Sequence, residues 1–364
     1  MAIMTGLSGN EIYCLALKGY RPGDLVIGNS VFSMGFIGGL GASWQGVLGG
    51  EIEQITNIIH EGRVASYSRL VHEAQQRGAV GITGVTNELT HFHGNIEFIS
   101  VASALHGADA AGGREKLEFT SSANGQELYC QIDAGFSPKR FVFGNVAYSI
   151  GAAGGIMGAL KSMARGEIKE FSDVFNETRH LALERISKEA SAAGGNAVVG
   201  IETRIMRFEG AHEMLMIGTA AHHPALPDVA LHRPVTSDLT CEEMWNLVSI
   251  GYLPLKLVLS TAVYSVGVVG GIKATFSSLS RGEINELTTL VYDAREHAID
   301  RLKREADAIG ADDVVGIKTH IHEHGSLLEF MAIGTAVKKS DAAKTLSPTL
   351  PAQAIIRDKD TWIG

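Results

Sequence analysis

The chain repeats itself. Gly50-Glu51-Ile52 returns as Gly166-Glu167-Ile168 and again as Gly282-Glu283-Ile284, each time 116 residues further on. The same offset aligns, without a gap, VIGNSVFSMGFIGG from Val26, VFGNVAYSIGAAGG from Val142 and VLSTAVYSVGVVGG from Val258. Gly78, Gly194 and Gly310 obey it, as do Gly84, Gly200 and Gly316, and Glu97, Glu213 and Glu329. Repetition at a fixed period settles architecture ahead of any local reading, because every unit must be a copy of one fold. A register held over roughly a hundred residues is the length of a domain with its own core. The units fall at 4–106, 120–222 and 236–338, separated by connectors at 107–119 and 223–235 rich in Gly, Ala, Pro and His. Residues 339–364 form a C-terminal tail, expected to be peripheral.

Each unit opens on a capping box, in which a short polar N-cap and a Glu three residues later satisfy each other's free backbone N–H groups. The pairs are Ser8/Glu11, Asn124/Glu127 and Thr240/Glu243. A short helix is predicted after each, stopping at Gly19, Gly135 and Gly251, with a proline soon after. An apolar run around 24–33 reads as a buried strand, and a long helix is predicted from Glu51 to Arg77. In the third copy Ile284, Leu287, Val291, Ala294, Ala298, Leu302 and Ala306 form a stripe that marks the helix face laid on a sheet. Two strands complete the unit. Helix, strand, helix, strand, strand describes a two-layer α+β domain. So small a sheet leaves exposed edges, and association between units is expected.

Composition narrows the function classes. With 31 basic against 40 acidic side chains the net charge is −9, which argues against nucleic acid as a partner. Three cysteines, Cys14, Cys130 and Cys241, include no CxxC pair, so neither a disulfide framework nor a zinc finger is indicated, and a cytoplasmic location is expected. Cys14 and Cys130 occupy equivalent places and read as small apolar filler. The charge-free stretches after Asp24, Arg140 and Lys256 carry Asn, Ser and many glycines, and read as buried structure rather than membrane spans. No basic n-region with an apolar h-region opens the chain.

Gly144-Asn145, Gly166-Glu167-Ile168, Arg179, Gly195-Asn196-Ala197-Val198-Val199-Gly200 and Gly218-Thr219-Ala220 together resemble the YbjQ-like family, also labelled a heavy-metal-binding domain. The resemblance covers most of each unit and is strongest in the second. It implies a β-α-β-β unit like the dodecin-type fold, a pentameric ring in single-domain relatives, and no established enzymatic activity. Two departures stand out. Where the family tends to carry arginines after the Gly-Asn strand, this chain has Phe32, Met34 and Phe36, and the third copy replaces Gly-Asn by Ser260-Thr261.

No G-x-S-x-G, P-loop, HExxH or dinucleotide fingerprint occurs, and no carboxylate pair for acid–base catalysis is evident. Glycine clusters such as GFIGGLG read as tight packing rather than as a phosphate cradle, since no Lys-Ser/Thr follows. On a predicted strand, His320, His322 and His324 alternate onto one face, where neighbouring imidazoles suit a borderline metal such as Zn, Ni or Cu. His91 and His93 are a shorter version. Under the offset His91 matches Arg207 and Glu323, so the histidines do not recur.

A different set does recur. Arg63, Arg179 and Arg295 share one position on the long helix, and in the third copy their three- and four-residue neighbours, Val291, Tyr292, Ala298 and Ile299, include no acid. An arginine on an apolar flank needs a partner from elsewhere, because an unpaired buried charge is costly. Glu97, Glu213 and Glu329, set in the hydrophobic last strand, are the candidates, either within a repeat or across a subunit boundary. Arg69/Glu73, Arg185/Glu189 and Arg301/Glu305 have i,i+4 spacing and read as surface helix pairs.

The expected function is therefore that of a non-enzymatic, self-associating protein, a stacked-ring scaffold or compartment in which each repeat forms its own ring, a pentamer by resemblance. The Gly/Ala/Met segments Gly35–Gly50, Gly151–Gly166 and Gly267–Gly282 are candidates for packing between subunits or lining a lumen. Two alternatives stand beside it: a metal-binding or metal-sensing protein using the histidine strand, and an enzyme with its site between subunits.

Overall fold

A computed structural model describes residues 2–33, 50–93, 95–109, 115–149, 167–208, 211–265, 285–324 and 327–355. Almost all of the three Gly/Ala/Met segments lies outside them. The first repeat consists of α1 (Gly9–Leu17), β1 (Tyr20–Ser33), β2 (Gly50–Glu51), α2 (Glu53–Gln76), β3 (Gly81–Phe92) and β4 (Asn95–Gly107). After β5 (Phe119–Thr120) the second follows as α3 (Gly125–Asp133), β6 (Ser137–Ser149), α4 (Lys169–Ala192), β7 (Ala197–Phe208) and β8 (Ala211–His222). After β9 (Val235–Thr236) the third is α5 (Cys241–Ser249), β10 (Tyr252–Ser265), α6 (Asn285–Ala308), β11 (Asp313–His324) and β12 (Leu327–Lys339), with a short α7 (Ala352–Ile355) beyond it.

All three capping boxes form, and each short helix ends on a glycine at positive φ, +81° at Gly19, +89° at Gly135 and +90° at Gly251. In every repeat the last strand lies between the other two and pairs antiparallel with both, so β4, β8 and β12 are the sheet centres. This is the two-layer α+β unit the periodicity implies.

The long helix lies close on its own first strand because of a glycine. A Cβ at Gly28 would stand 2.0 Å from the Ser66 carbonyl oxygen, and one at Gly144 2.2 Å from that of Ala182. That is the physical content of the glycine in the Gly-Asn pair: the helix backbone occupies the space of a side chain. Ser260 holds the equivalent place in the third repeat and is buried there.

The connectors do more than link. β5 adds to the free edge of β3 in parallel, and β9 does the same to β7, so each connector protects an exposed strand edge. The backbone just before the long helices of the first and second repeats then crosses into the next repeat. Ile52 N–H donates to the Ala147 carbonyl at 2.7 Å, and Ile168 N–H to that of Val263 at 2.7 Å.

The short helices run side by side over one shared core that contains Cys14, Cys130, Cys241, Phe136 and Trp245. Asp133, fully buried at the end of α3, ties this row together. It accepts from Lys18 of the first repeat at 2.5 Å, from the Trp245 indole of the third at 2.8 Å and from the Ser347 hydroxyl of the tail at 2.7 Å. Burial alone would push its carboxyl up, but these hydrogen bonds outweigh burial and hold it below the ordinary aspartate value. The tail is thus not peripheral as far as residue 355. Ala343 and Ala354 are buried in the shared core, because α7 closes over α1 and α3.

Candidate assembly interface

The recurrent arginines and glutamates meet, and they do so between successive repeats of one chain. Arg63 donates from Nε to Glu213 Oε1 at 3.0 Å and from Nη2 to Oε2 at 2.7 Å, with both side chains fully buried. Arg179 Nη2 reaches Glu329 at 2.6 and 2.8 Å, again at zero exposure. Neither option read from the sequence, a pair within one repeat or across a subunit boundary, describes this. The pairs close the seams between repeats one and two and between two and three.

The seams are built alike. Alternation along a strand sends Val26, Gly28 and Ser30 toward the repeat's own helix and Ile27, Asn29 and Val31 to the other face. In the second repeat that other face, Phe143, Asn145 and Ala147, is buried under α2 of the first. In the third, Leu259, Thr261 and Val263 are buried under α4 of the second. Polar groups match as well: the Ala147 N–H donates to the Thr56 hydroxyl at 2.9 Å, and the Val263 N–H to the Ser172 hydroxyl at 2.9 Å. The Asn145 amide donates to the Thr56 carbonyl, so the asparagine of the Gly-Asn pair receives the preceding repeat's helix.

The two ion pairs differ in what surrounds them. Arg63 Nη1 also donates to the carbonyl and side-chain oxygens of Asn87, at 2.9 and 2.8 Å. At the equivalent position the second repeat has Thr203, whose hydroxyl has no partner among the described residues, and Arg179 Nε and Nη1 likewise find no acceptor among them. Arg179 instead lies over the rings of Tyr148 and Phe175, with Nη2 donating to the Tyr148 hydroxyl at 3.0 Å. Burial pushes that phenol up to about 12, so it stays protonated.

A second tier of ion pairs corrects the i,i+4 reading. Arg185 does not pair with Glu189 but reaches Glu51 of the preceding repeat at 2.7 Å, and Arg301 reaches Glu167 at 2.6 Å rather than Glu305. Glu305 is engaged by Lys256 at 2.6 Å and by His180 at 3.5 Å, while Glu73 binds Arg77. Contact with Glu305 raises the His180 pKa above the usual imidazole value. The glutamate of the Gly-Glu-Ile motif is therefore a seam residue. The recurrence of Glu51 with Arg69 at one offset pointed to it, but i,i+4 spacing offered a nearer partner.

At the two ends of the chain the same surfaces stand open. Arg295 is exposed on α6 and forms no ion pair among the described residues, and Glu97 is half-buried, accepting from Asn29 at 3.3 Å. Ile27 and Val31 are 47% and 53% exposed, against 4% and 0% for their counterparts Phe143 and Ala147.

The histidines fall near hairpin ends, and His322 stands directly across the sheet from Glu329 of the second seam. His320 and His322 share a face, their rings nearly parallel with centroids 6.2 Å apart, and His320 borders a cleft of about 400 Å³ with Lys318 and Asp238. His324 ends the same strand, while His91 and His93 are exposed on the first repeat's hairpin. Among the described residues no three potential ligands gather around one point. The three cysteines are buried and form no disulfide among the described residues; burial, followed by the nearby Glu11, pushes the Cys14 thiol up to about 11, which agrees with apolar filler. No helix among the described residues is long and apolar enough to cross a membrane.

Three segments, 18–104, 137–223 and 252–340, match the family described as "Putative heavy-metal-binding". An encapsulin nanocompartment protein of Mycobacterium tuberculosis is 29% identical over 242 residues, which are 64% of this chain and 90% of the relative. A UPF0145 protein of Methanoregula boonei is 34% identical over 110 residues, 28% of this chain and 92% of its own length. One of Thermotoga maritima is 43% identical over 80 residues, 22% of this chain and 76% of its own. No solved structure matches. With all three repeats matched, the chain belongs to the YbjQ-like family.

Proposed function

We propose that this protein is a self-assembling scaffold without enzymatic activity, whose repeats succeed one another head to tail to form the wall of a ring or compartment. The observation that carries it is the seam built twice from the same parts, Arg63 on Glu213 and Arg179 on Glu329. A contact in which one surface meets a different one is heterologous, and heterologous contacts generate rings when the rotation closes. The similarity to a mycobacterial encapsulin nanocompartment protein supports a compartment. Three cysteines that form no disulfide among the described residues are in keeping with a cytoplasmic assembly.

Native mass spectrometry of the purified chain tests this. Discrete species at 38.7 kDa multiplied by two or more are expected; five chains would follow only if each repeat formed its own ring, and the head-to-tail seams within one chain speak against that arrangement. A 38.7 kDa species alone at micromolar concentration would overturn the scaffold. A second reading, capture of a divalent ion by the His320 and His322 rings, draws on their parallel placement. It requires dialysed protein to take up stoichiometric Zn, Ni or Cu, and His320→Ala to abolish the uptake.

A further inference from the structure

We infer that the open end of the third repeat docks on the open end of the first repeat of a second copy, with Arg295 seated on that copy's Glu97. This rests on the scaffold reading and specifies its partner, the surface used and the pair that locks it.

The argument is one of register. Each internal seam is made by four positions on a long helix: Thr56, His60, Arg63 and Tyr67 in the first repeat, Ser172, Asn176, Arg179 and Leu183 in the second. Thr56, Arg63 and Tyr67 are buried, as are Ser172, Arg179 and Leu183. The third repeat carries Thr288, Tyr292, Arg295 and Ile299 at these places, so the hydroxyl and the guanidinium recur, while the second position varies as His60, Asn176 and Tyr292. Yet Thr288, Tyr292 and Arg295 are exposed, Tyr292 at 62%. Among the described residues no further long-helix repeat lies over them.

The receiving half is equally complete and equally bare. Ile27 and Val31 provide the apolar rows that Phe143 and Ala147 provide in the second repeat. Asn29 stands where Asn145 binds the preceding helix. Glu97 stands in register with Glu213 and Glu329, on the central strand opposite Val31, as Glu213 is opposite Ala147 and Glu329 opposite Val263. The Val31 N–H is placed to meet the Thr288 hydroxyl, as the Ala147 and Val263 N–H groups meet Thr56 and Ser172. A helix face bearing Arg295 and a sheet face bearing Glu97, one at each end of one chain, are complementary to each other and not to themselves. The occupant of either is therefore another copy, arriving head to tail.

The experiment uses the full chain in sedimentation velocity, comparing wild type, Arg295→Glu, Glu97→Arg and an equal mixture of the two variants. Reversal of either charge leaves two like charges in the new seam and should weaken it about a hundredfold or more in Kd. Each single variant should then sediment as a monomer where wild type is assembled. In the mixture, one variant's Arg295 still finds the other's Glu97, so at least dimers return. Arg304→Glu is the control, because its counterpart Lys188 stays 72% exposed with the seam formed, and it should assemble as wild type. Both target side chains lie outside the folded core, so circular dichroism melting of each variant should match that of the control. If either charge reversal stays fully assembled, or the mixture stays monomeric while wild type assembles, the inference fails and the scaffold reading survives. If wild type is itself monomeric, both fail.

Discussion

Arg63 and Glu213 lie 150 residues apart in the chain and meet through two parallel N–H···O hydrogen bonds, at 3.0 and 2.7 Å, with no solvent reaching either side chain. Bidentate geometry of this kind offsets part of the desolvation cost of the charges. Removing one partner strands the other. Arg63→Ala or Arg179→Ala should therefore cost about 3–5 kcal/mol. Arg185→Ala, whose ion pair with Glu51 is 31% exposed on the arginine side, should cost about 1 kcal/mol or less. Urea unfolding monitored by circular dichroism measures both, and equal small losses would show that the buried pairs do not hold the seams.

The Gly-Asn strand makes a steric prediction. Gly144→Ala places a methyl group 2.2 Å from the Ala182 carbonyl oxygen and 2.7 Å from the Ile186 nitrogen, backbone atoms that cannot rotate aside. Overpacking of this sort costs about 1–3 kcal/mol. Gly9→Ala, where a Cβ meets nothing within 4 Å, should leave the melting temperature unchanged. Differential scanning calorimetry of the two separates steric exclusion from a general effect of replacing glycine.

Asp133 predicts an acid-sensitive step. Its folded carboxyl titrates below the ordinary value of 3.8, because hydrogen bonds from Lys18, Trp245 and Ser347 outweigh burial. The stability it supplies is therefore present above pH 3.8 and lost as pH falls through the lower, folded value. Asp133→Asn should flatten the acid limb of stability against pH. It should also destabilise at pH 7, since the Lys18 ammonium loses its counter-charge. An unchanged acid limb would place the titration elsewhere.

The cysteines should be silent in the native protein. Cys14 is held as a thiol by burial, and Cys130 and Cys241 share the same apolar core. A disulfide-exchange reagent should label them at the rate of unfolding, which urea accelerates; fast labelling without denaturant would mean that the helix row opens readily.

Much of the fold was legible because the 116-residue offset reads every element three times, so a capping box or a glycine stop seen in one copy is tested in two others. The same offset picked out Arg63, Arg179 and Arg295 and their glutamates. What it could not supply was direction. A repeat in register says that equivalent residues do equivalent things, but pairing Arg63 with Glu97 or with Glu213 satisfies that rule equally; the choice depends on how a helix of one unit lies across the sheet of the next. The same blindness sent Arg185 to Glu189 on its own helix, when the glutamate that binds it sits before the preceding helix at Glu51. The tail misled for another reason: Ser347 and Ala354 are single short side chains, and their burial is decided by the helix row beneath them rather than by any pattern of their own.

The connectors at 107–119 and 223–235 make both internal seams unimolecular. Two neighbouring repeats held on one polypeptide face each other at an effective concentration of order millimolar, whatever the abundance of the protein. Those seams consequently form without loss of translational freedom and do not respond to dilution. Any dependence of a larger assembly on the amount of protein is thereby confined to the contacts that chains make with one another.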